Sequence, residues 1–373
     1  MKSYILDSKF SLSWIKSIDM LNFFLIILLA FLGLLFVTTA SPSIAKLKQL
    51  EEFYFVKKHL VFMILSIILL MFFSILSKNT ILKLSFFGAS VSFVLMITSL
   101  FQNSISNGAS RWVNIMGYSM QPSELLKPFL IVILAFLISR RNKVKIKHYS
   151  VDGKILAFFA LILTSLILIK QPNYSMVAIL FFVLLTQLFI IGISFRLALL
   201  IIATIIVFSI FSYFSLAHVK KRILDYMFLE KPNYQVEKSL QAYSSGGLVG
   251  AGPGEGKVKK YIPDAHTDFI FPVIAEEYGV IVCISIIFII FTIFFRGLYR
   301  TSKINNLFDL LTSAGLLILF ITQSLINISV SLKLVPTTGV TLPLISYGGS
   351  SLLSMGIIMG IILALTRKQF RAN

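Results

Sequence analysis

Ten runs of apolar residues, most near the ~20 residues a helix needs to cross a hydrocarbon core, divide the chain and leave little between them. They are Leu21–Ala40, His59–Ser77, Ile81–Phe101, Leu125–Ser139, Ile155–Ile169, Met176–Ile193, Leu197–Ala217, Phe269–Phe295, Leu307–Ile328 and Tyr347–Leu365. The fourth and fifth are short, and Lys127, Lys154 and Lys170 can snorkel from their ends. Of 373 residues, 57% are hydrophobic and 13% charged, whereas a soluble domain carries about 25% charged residues. A soluble core cannot absorb so much apolar sequence. The expectation is an all-α integral membrane protein of about ten transmembrane helices, forming one polytopic membrane domain over residues 1–373. No strand-like alternation supports a β-barrel. The first run is too long for a signal peptide, and no small-residue cleavage site follows it.

Net charge is +19, and the basic residues sit between the apolar runs, where anionic headgroups and the positive-inside rule account for them without nucleic acid. Lys2, Lys9 and Lys16 precede the first span. Arg140, Arg141, Lys143, Lys145, Lys147 and Lys154 follow the fourth. Arg296, Arg300 and Lys303 follow the eighth, and Arg367, Lys368 and Arg371 end the chain. All four groups fall on one side, which places both termini in the cytoplasm. Lys46, Lys48, Lys57 and Lys58 break the rule, since they fall outside. The loop between spans seven and eight, residues 218–268, is then extracytoplasmic. The single cysteine, Cys283, has no intrachain partner, and no Cys/His cluster suggests structural zinc.

That loop holds Gly250-Ala-Gly-Pro-Gly-Glu-Gly256, then Lys257, Lys259 and Lys260, then Pro263-Asp-Ala-His-Thr-Asp268. Glycines let backbone N–H groups approach an anion, and the lysines suit a diphosphate; a flexible loop with solvated lysines is the plainer alternative. Thr267 or Asp268 can cap the next helix. Alternatively, the Asp268 carboxylate stands at a helix N-terminus beside Phe269 and Phe271, positioned as a general base, with His266 as an assistant or a spectator. Glu276 and Glu277 lie within an apolar run, where pairing with a basic residue is favoured over catalysis. Glu124 and Lys127, spaced i,i+3, read as a helix ion pair, and Arg111 as a bidentate phosphate ligand. Gln323 and Asn327 suit interhelix bonding, and the small residues around Ser346 suit close helix approach or a broken helix.

Together, Asn107-Gly-Ala-Ser-Arg-Trp112, Gln121-Pro-Ser-Glu-Leu-Leu-Lys127, the glycine-rich run, His266-Thr-Asp-Phe-Ile-Phe271, Ala275-Glu-Glu-Tyr-Gly279 and Val335-Pro-Thr-Thr-Gly339 resemble the SEDS (shape, elongation, division, sporulation) family. The resemblance covers nearly the whole chain, and the Gly-Pro-Gly-Glu-Gly run with Ala-Glu-Glu-Tyr-Gly is more similar to the FtsW branch than to RodA. It implies a peptidoglycan glycosyltransferase that polymerises lipid II on the outer face of the bacterial cytoplasmic (inner) membrane at the division septum. Its implied partners are a class B penicillin-binding protein, other division proteins and membrane lipids. It implies Asp268 as the essential acid, with Arg111, Glu124 and Lys127 matching further family segments. Asn173 stands where related sequences carry an aspartate, and Thr338 where they carry a lysine, so neither takes a charged role.

On this reading Asp268 takes the proton from an attacking sugar hydroxyl. Arg111, Lys127 or the Lys257–Lys260 cluster offsets the diphosphate leaving group; a divalent cation (Mg or Mn) could do the same. Supporting roles fall to Glu124, Glu276, Glu277, Asn327 and Ser346. A base at the end of a glycine-rich loop calls for ordering by a partner. The alternatives are a lipid II flippase lined by Glu276, Glu277 and Lys127, and a scaffold of the division machinery, for which Asp268 is dispensable.

Overall fold

The computed structural model describes residue 14, residues 16–101, 111–115, 118–140, 144–146, 149–192 and 234–367, and single positions between 196 and 214. The expected span Leu197–Ala217 lies almost wholly outside the described residues. So do 218–233 of the expected outer loop, the Asn107–Ser110 part of one motif, and Lys2, Lys9, Arg141, Lys143, Lys147, Lys368 and Arg371.

The helices are α1 (Met20–Leu47), α2 (Tyr54–Ile75), α3 (Lys78–Phe101), α4 (Pro122–Ser139), α5 (Gly153–Lys170), α6 (Tyr174–Ile190), α7 (Tyr234–Gly246), α8 (Ile270–Thr301), α9 (Leu307–Ser331) and α10 (Gly349–Leu365). Seven are long and apolar enough to cross a membrane, and α6 and α10 are shorter apolar helices of 17 residues each. Every other expected span thus falls on a helix, and the chain is a multi-pass membrane protein. Two short antiparallel hairpins, β1 (Val113–Ile115) with β2 (Tyr118–Met120) and β3 (Val144–Ile146) with β4 (Tyr149–Val151), are the strands among the described residues. They depart from an all-α reading only in the loops, where three-residue strands leave no hydropathy signal.

The bundle is arranged for lipid. Phe24, Phe31, Phe87, Phe159 and Phe288 point outward, whereas Lys127, Gln187, Gln323, Asn327 and Glu277 are buried. In lipid the apolar face carries no penalty outside, so the polar residues gather where they find one another. Close approach is provided by α10: Cβ atoms built at Gly356 and Gly360 would overlap Ser66 and Leu70 of α2, and Ser66 Oγ donates to Leu352 O at 2.6 Å. The small residues of the last span therefore pack helix against helix.

The two described chain ends share one end of the bundle. Asp19, before α1, pairs with Arg296 at 2.8 Å and Arg300 at 3.1 Å, near the end of α8. Trp14 donates to Ser74 O, and Arg367 donates to Leu76 O at 2.6 Å. We expect this end to be cytoplasmic, as the Lys/Arg distribution requires. Single cysteines placed at Ser244 and Ser150 in a Cys283→Ala background test it with an impermeant thiol reagent added from outside. Labelling at 244 and protection at 150 is the expected result; the reverse pattern inverts the topology.

Helix α8 is broken where the apolar run reads as continuous. Gly279 takes φ +81° and ψ 174°, a backbone geometry that L side chains disfavour. The break frees backbone groups in the middle of the bundle, and the glycine-rich segment fills it. Ala251 N donates to Glu276 O (2.8 Å), Gly252 N to Glu277 O (3.0 Å) and Val280 N to Gly247 O (3.1 Å). Non-helical backbone at this depth is tolerated because protein, not lipid, satisfies it.

Candidate active site

The expected anion cradle is a docking element. The N–H groups of Ala251 and Gly252 are spent on α8 carbonyls, so they are not available to a phosphate. Of the three lysines, Lys257 and Lys260 are exposed and lie away from the main cavity. Lys259 is buried: its ammonium pairs with Glu277 and donates to Thr39 O (2.8 Å) and Gly254 O (3.0 Å). Glu276 accepts from Val258 N (2.7 Å) and Lys259 N (2.9 Å), capping the 3-10 turn Val258–Tyr261. Both glutamates therefore tie the loop to α8. Glu277 thus pairs with a basic residue, whereas Glu276 takes backbone N–H groups instead, and Lys259 is engaged away from any substrate.

The stretch that follows is stitched to the far side of the bundle. Tyr347 N donates to His266 O (2.9 Å), Ser346 Oγ to Thr267 O (2.7 Å) and Asn327 Nδ2 to Asp268 O (2.8 Å). Asn327 also donates to Val340 O (2.7 Å), so one amide fixes both Asp268 and the segment before α10. The chain itself thus holds the backbone that bears the carboxylate, so this end of the glycine-rich loop is not loose. The N-cap of α8 is Phe269, with no side-chain cap bond, so neither Thr267 nor Asp268 serves as one.

Asp268 is half-buried on the wall of a cavity of about 440 Å³, together with Arg111, Glu124, Lys127, Asp264 and Lys48. Burial, reinforced by the charges of Asp264 and Glu124 and opposed by Arg111, pushes its carboxyl up to about 7. Gly339 on this wall takes φ +73°, a backbone geometry that favours glycine, although a Cβ there would be in ordinary van der Waals contact with Asp268 Oδ2 at 3.6 Å. Arg111 donates through Nε to Gln171 O (2.7 Å) and through Nη2 to Pro172 O, so the turn between α5 and α6 fixes the plane of its guanidinium. Lys127 pairs with Glu124 at 2.6 Å and donates to Gln323 Oε1 at 3.0 Å, and Gln323 in turn donates to Thr341 O. Asn173, in the position of an expected acid, also lines the cavity.

Of the expected site residues, Asp268, Arg111, Glu124 and Lys127 meet in this cavity, Asn327 and Ser346 hold its backbone, and the others lie outside it. His266 is buried between Phe55 (ring centroids 4.4 Å apart) and Tyr347 (5.2 Å). Burial, aided by the charge of Lys48, lowers it to about 3. His266 is thus a buried ring outside the cavity, which fits the spectator rather than the assistant. The cation that sequence reasoning missed is Lys48, which lines the cavity and lies over the Phe55 ring at 5.6 Å. Its signal was present: it belongs to the loop whose lysines break the positive-inside rule, and a charge that topology disfavours needs a local reason.

Residues 19–370 match the family described as cell cycle proteins, FtsW/RodA/SpoVE. The probable peptidoglycan glycosyltransferase FtsW of Caulobacter vibrioides is 36% identical over 351 residues, covering 92% of this chain and 87% of that protein. Among solved structures, a chain from a peptidoglycan synthase complex superposes with a TM-score of 0.76 at 23% identity, covering 94% of this chain and 97% of that one. The rod shape determining protein RodA of Thermus thermophilus superposes with a TM-score of 0.67 at 23% identity, covering 94% and 96%. An acid carried by a family motif, on a cavity wall with Arg111, Lys48 and Lys127, agrees with those likenesses: the chain belongs to the FtsW/RodA/SpoVE family of cell cycle proteins and is similar over nearly its whole length to FtsW members.

Proposed function

We propose that this chain, a peptidoglycan glycosyltransferase of cell division, polymerises lipid II with Asp268 as the general base. The observation that carries the reading is a carboxyl raised to about 7 on the same cavity wall as three cationic side chains. A base is most effective when its pKa lies near the working pH. The acceptor sugar's 4-hydroxyl oxygen bonds to the donor's anomeric carbon, and its proton passes to the Asp268 carboxylate. The anomeric carbon–oxygen bond to the diphosphate breaks, and the electron pair leaves with undecaprenyl diphosphate. Arg111 and Lys48 hold positive charge where that negative charge develops, whereas the charge of Lys127 is balanced by Glu124.

A resident metal finds little support in the donor set. Among the described residues, no group of three or more His, Cys, Asp and Glu side chains converges. Glu124 is engaged by Lys127, which leaves Asp264 and Asp268 on the wall. Magnesium typically takes one or two carboxylates together with substrate phosphates; with Asp268 needed as the proton acceptor, Asp264 is the carboxylate left to hold a Mg or Mn ion that enters with the diphosphate.

The reading places the site on the outer face of the inner membrane at the septum, with a class B penicillin-binding protein and other division proteins as partners. Purified protein given labelled lipid II, with and without that partner and with no energy source, tests it. Glycan strands are expected in both cases, because the chain itself holds the backbone that bears the base, with the partner raising the rate. Translocation of lipid II in vesicles without any polymer would replace this reading with the flippase.

A further inference from the structure

The tip of the glycine-rich segment carries two bulky apolar side chains that little of the protein covers. Leu248 is 69% exposed and Val249 77%. Gly247 (φ +57°) and Gly250 (φ +87°) flank them, so the chain turns sharply on both sides of the pair and presents it outward. Polar residues come before and after: Gln241, Ser244 and Ser245 are exposed on α7, and Glu255, Lys257 and Lys260 beyond the turn. In water, the pair would forgo the burial that normally stabilises a leucine and a valine.

Its height along α8 says what surrounds it. Val280 N donates to Gly247 O (3.1 Å) and Ile281 N to Leu248 O (3.4 Å), which fixes the tip beside the break. Arg296, paired with Asp19, marks the cytoplasmic end of the same helix. From Arg296 to Val280 the helix rises about 24 Å, at about 1.5 Å per residue, and tilt shortens the vertical distance. The hydrocarbon core is about 30 Å thick, so the tip falls inside its outer edge. Residues 280–295 contain no Asp, Glu, Lys or Arg, as that depth requires. Below the break, Ile281, Ile284 and Phe288 form an exposed stripe, and Leu248 continues it outward. Above the break, Val273, Ile274, Ala275, Glu276 and Glu277 are buried, so the loop rather than α8 meets the surroundings there. The backbone of the tip is also largely satisfied by protein. The carbonyls of Gly247 and Leu248 accept from α8, Gly250 N donates to Gly246 O (2.8 Å), and the next two N–H groups are bonded to α8. That is the condition for irregular backbone at membrane depth.

We propose that residues 247–250 are a re-entrant tip, with Leu248 and Val249 inserted among the acyl chains of the outer leaflet, just below the headgroups. The chain leaves α7, dips into the leaflet, seals the broken helix with its backbone and returns to water near Glu255. Its backbone faces protein and its side chains face lipid. The pair thereby anchors to the leaflet the segment that leads to Asp268. None of these residues lines the cavity, so the assignment holds whatever reaction the cavity performs.

The test uses the full chain in vesicles of phosphatidylethanolamine and phosphatidylglycerol. Single cysteines replace Leu248 or Val249 in a Cys283→Ala background, and each carries an environment-sensitive fluorophore. Ser244→Cys is the aqueous reference and Phe288→Cys the lipid reference. The quenchers are iodide, present on both sides of the membrane, and lipids bearing a nitroxide near the headgroup end of the acyl chain. Both tip positions should be quenched by the nitroxide at least about threefold more than Ser244, and by iodide at least about threefold less. Moving the nitroxide to the chain terminus should weaken quenching at the tip and strengthen it at Phe288. Iodide quenching at the tip equal to that at Ser244 would put the pair in water and overturn the proposal. Quenching by neither would show the pair covered by protein, a second copy or a partner's helix, and would overturn it as well. A second measurement needs no substitution. A lipid with a photoreactive diazirine near the headgroup end of its chain should cross-link to the peptide holding Leu248 and Val249 in the unsubstituted protein. Cross-links to the exposed stripe of α8 without that peptide would contradict the insertion.

Discussion

Asp268→Asn is expected to reduce glycan-strand formation by about 10²–10⁴, the usual contribution of a positioned general base. The fold should survive. Asparagine preserves the shape, the carbonyl that Asn327 holds is backbone, and Asp268 caps no helix. It also removes a partly buried carboxyl whose ionisation its surroundings oppose, so thermal stability should hold or rise. Asp268→Glu shifts the carboxylate by one methylene from its place on the cavity wall and should be intermediate at best. Asp264→Asn is the control, with a much smaller loss. Strand length and yield from labelled lipid II report the result. A near-normal Asp268→Asn beside a dead Asp264→Asn would move the base to the other acid. Full activity in both would favour the flippase or the scaffold.

Lys259→Met is expected to destabilise the protein by about 3–5 kcal/mol, because it leaves Glu277 charged and buried without its cation. The loop that leads to Asp268 is tied to α8 through this pair, so activity should fall with stability. The double variant Lys259→Met/Glu277→Gln removes both charges together and should recover most of each. This cycle decides between two roles for one lysine. Thermal melting and polymerisation are measured side by side. A double variant that melts like the parent yet makes no strands would return Lys259 to the substrate, against the burial seen here.

The bundle was legible because lipid imposes its signature on composition: a helix that must span ~30 Å of hydrocarbon is written as a long apolar run. The acid, the arginine and the Glu124–Lys127 pair were legible as polar residues beside such runs, and the family resemblance named the same four. The break in α8 was not. Gly279 lies within a run that reads as uninterrupted, and what satisfies its freed carbonyls is backbone from residues 251 and 252, which no side-chain pattern records. For the same reason the glycine-rich run looked like a phosphate cradle: glycines that let a backbone approach an anion also let it approach a broken helix. The lysines beside it were misplaced as a group because their directions alternate along a 3-10 turn, with Lys259 inward and Lys257 and Lys260 outward. His266 was given a polar role, although its neighbours Phe55 and Tyr347 come from distant segments and make it a buried ring.

The central claim is that the Asp268 carboxylate accepts the proton, and the pH dependence of kcat/KM tests it most directly. The group must be ionised to act, and its surroundings raise it to about 7. Activity should therefore climb with unit slope as pH rises toward 7 and level off above it. Asp264→Asn removes one of the charges that raise Asp268, so its limb should move to lower pH. The residual activity of Asp268→Asn should lack the limb altogether. A flat profile in the parent protein from about pH 5 to 8, or the same limb persisting in Asp268→Asn, would contradict the account.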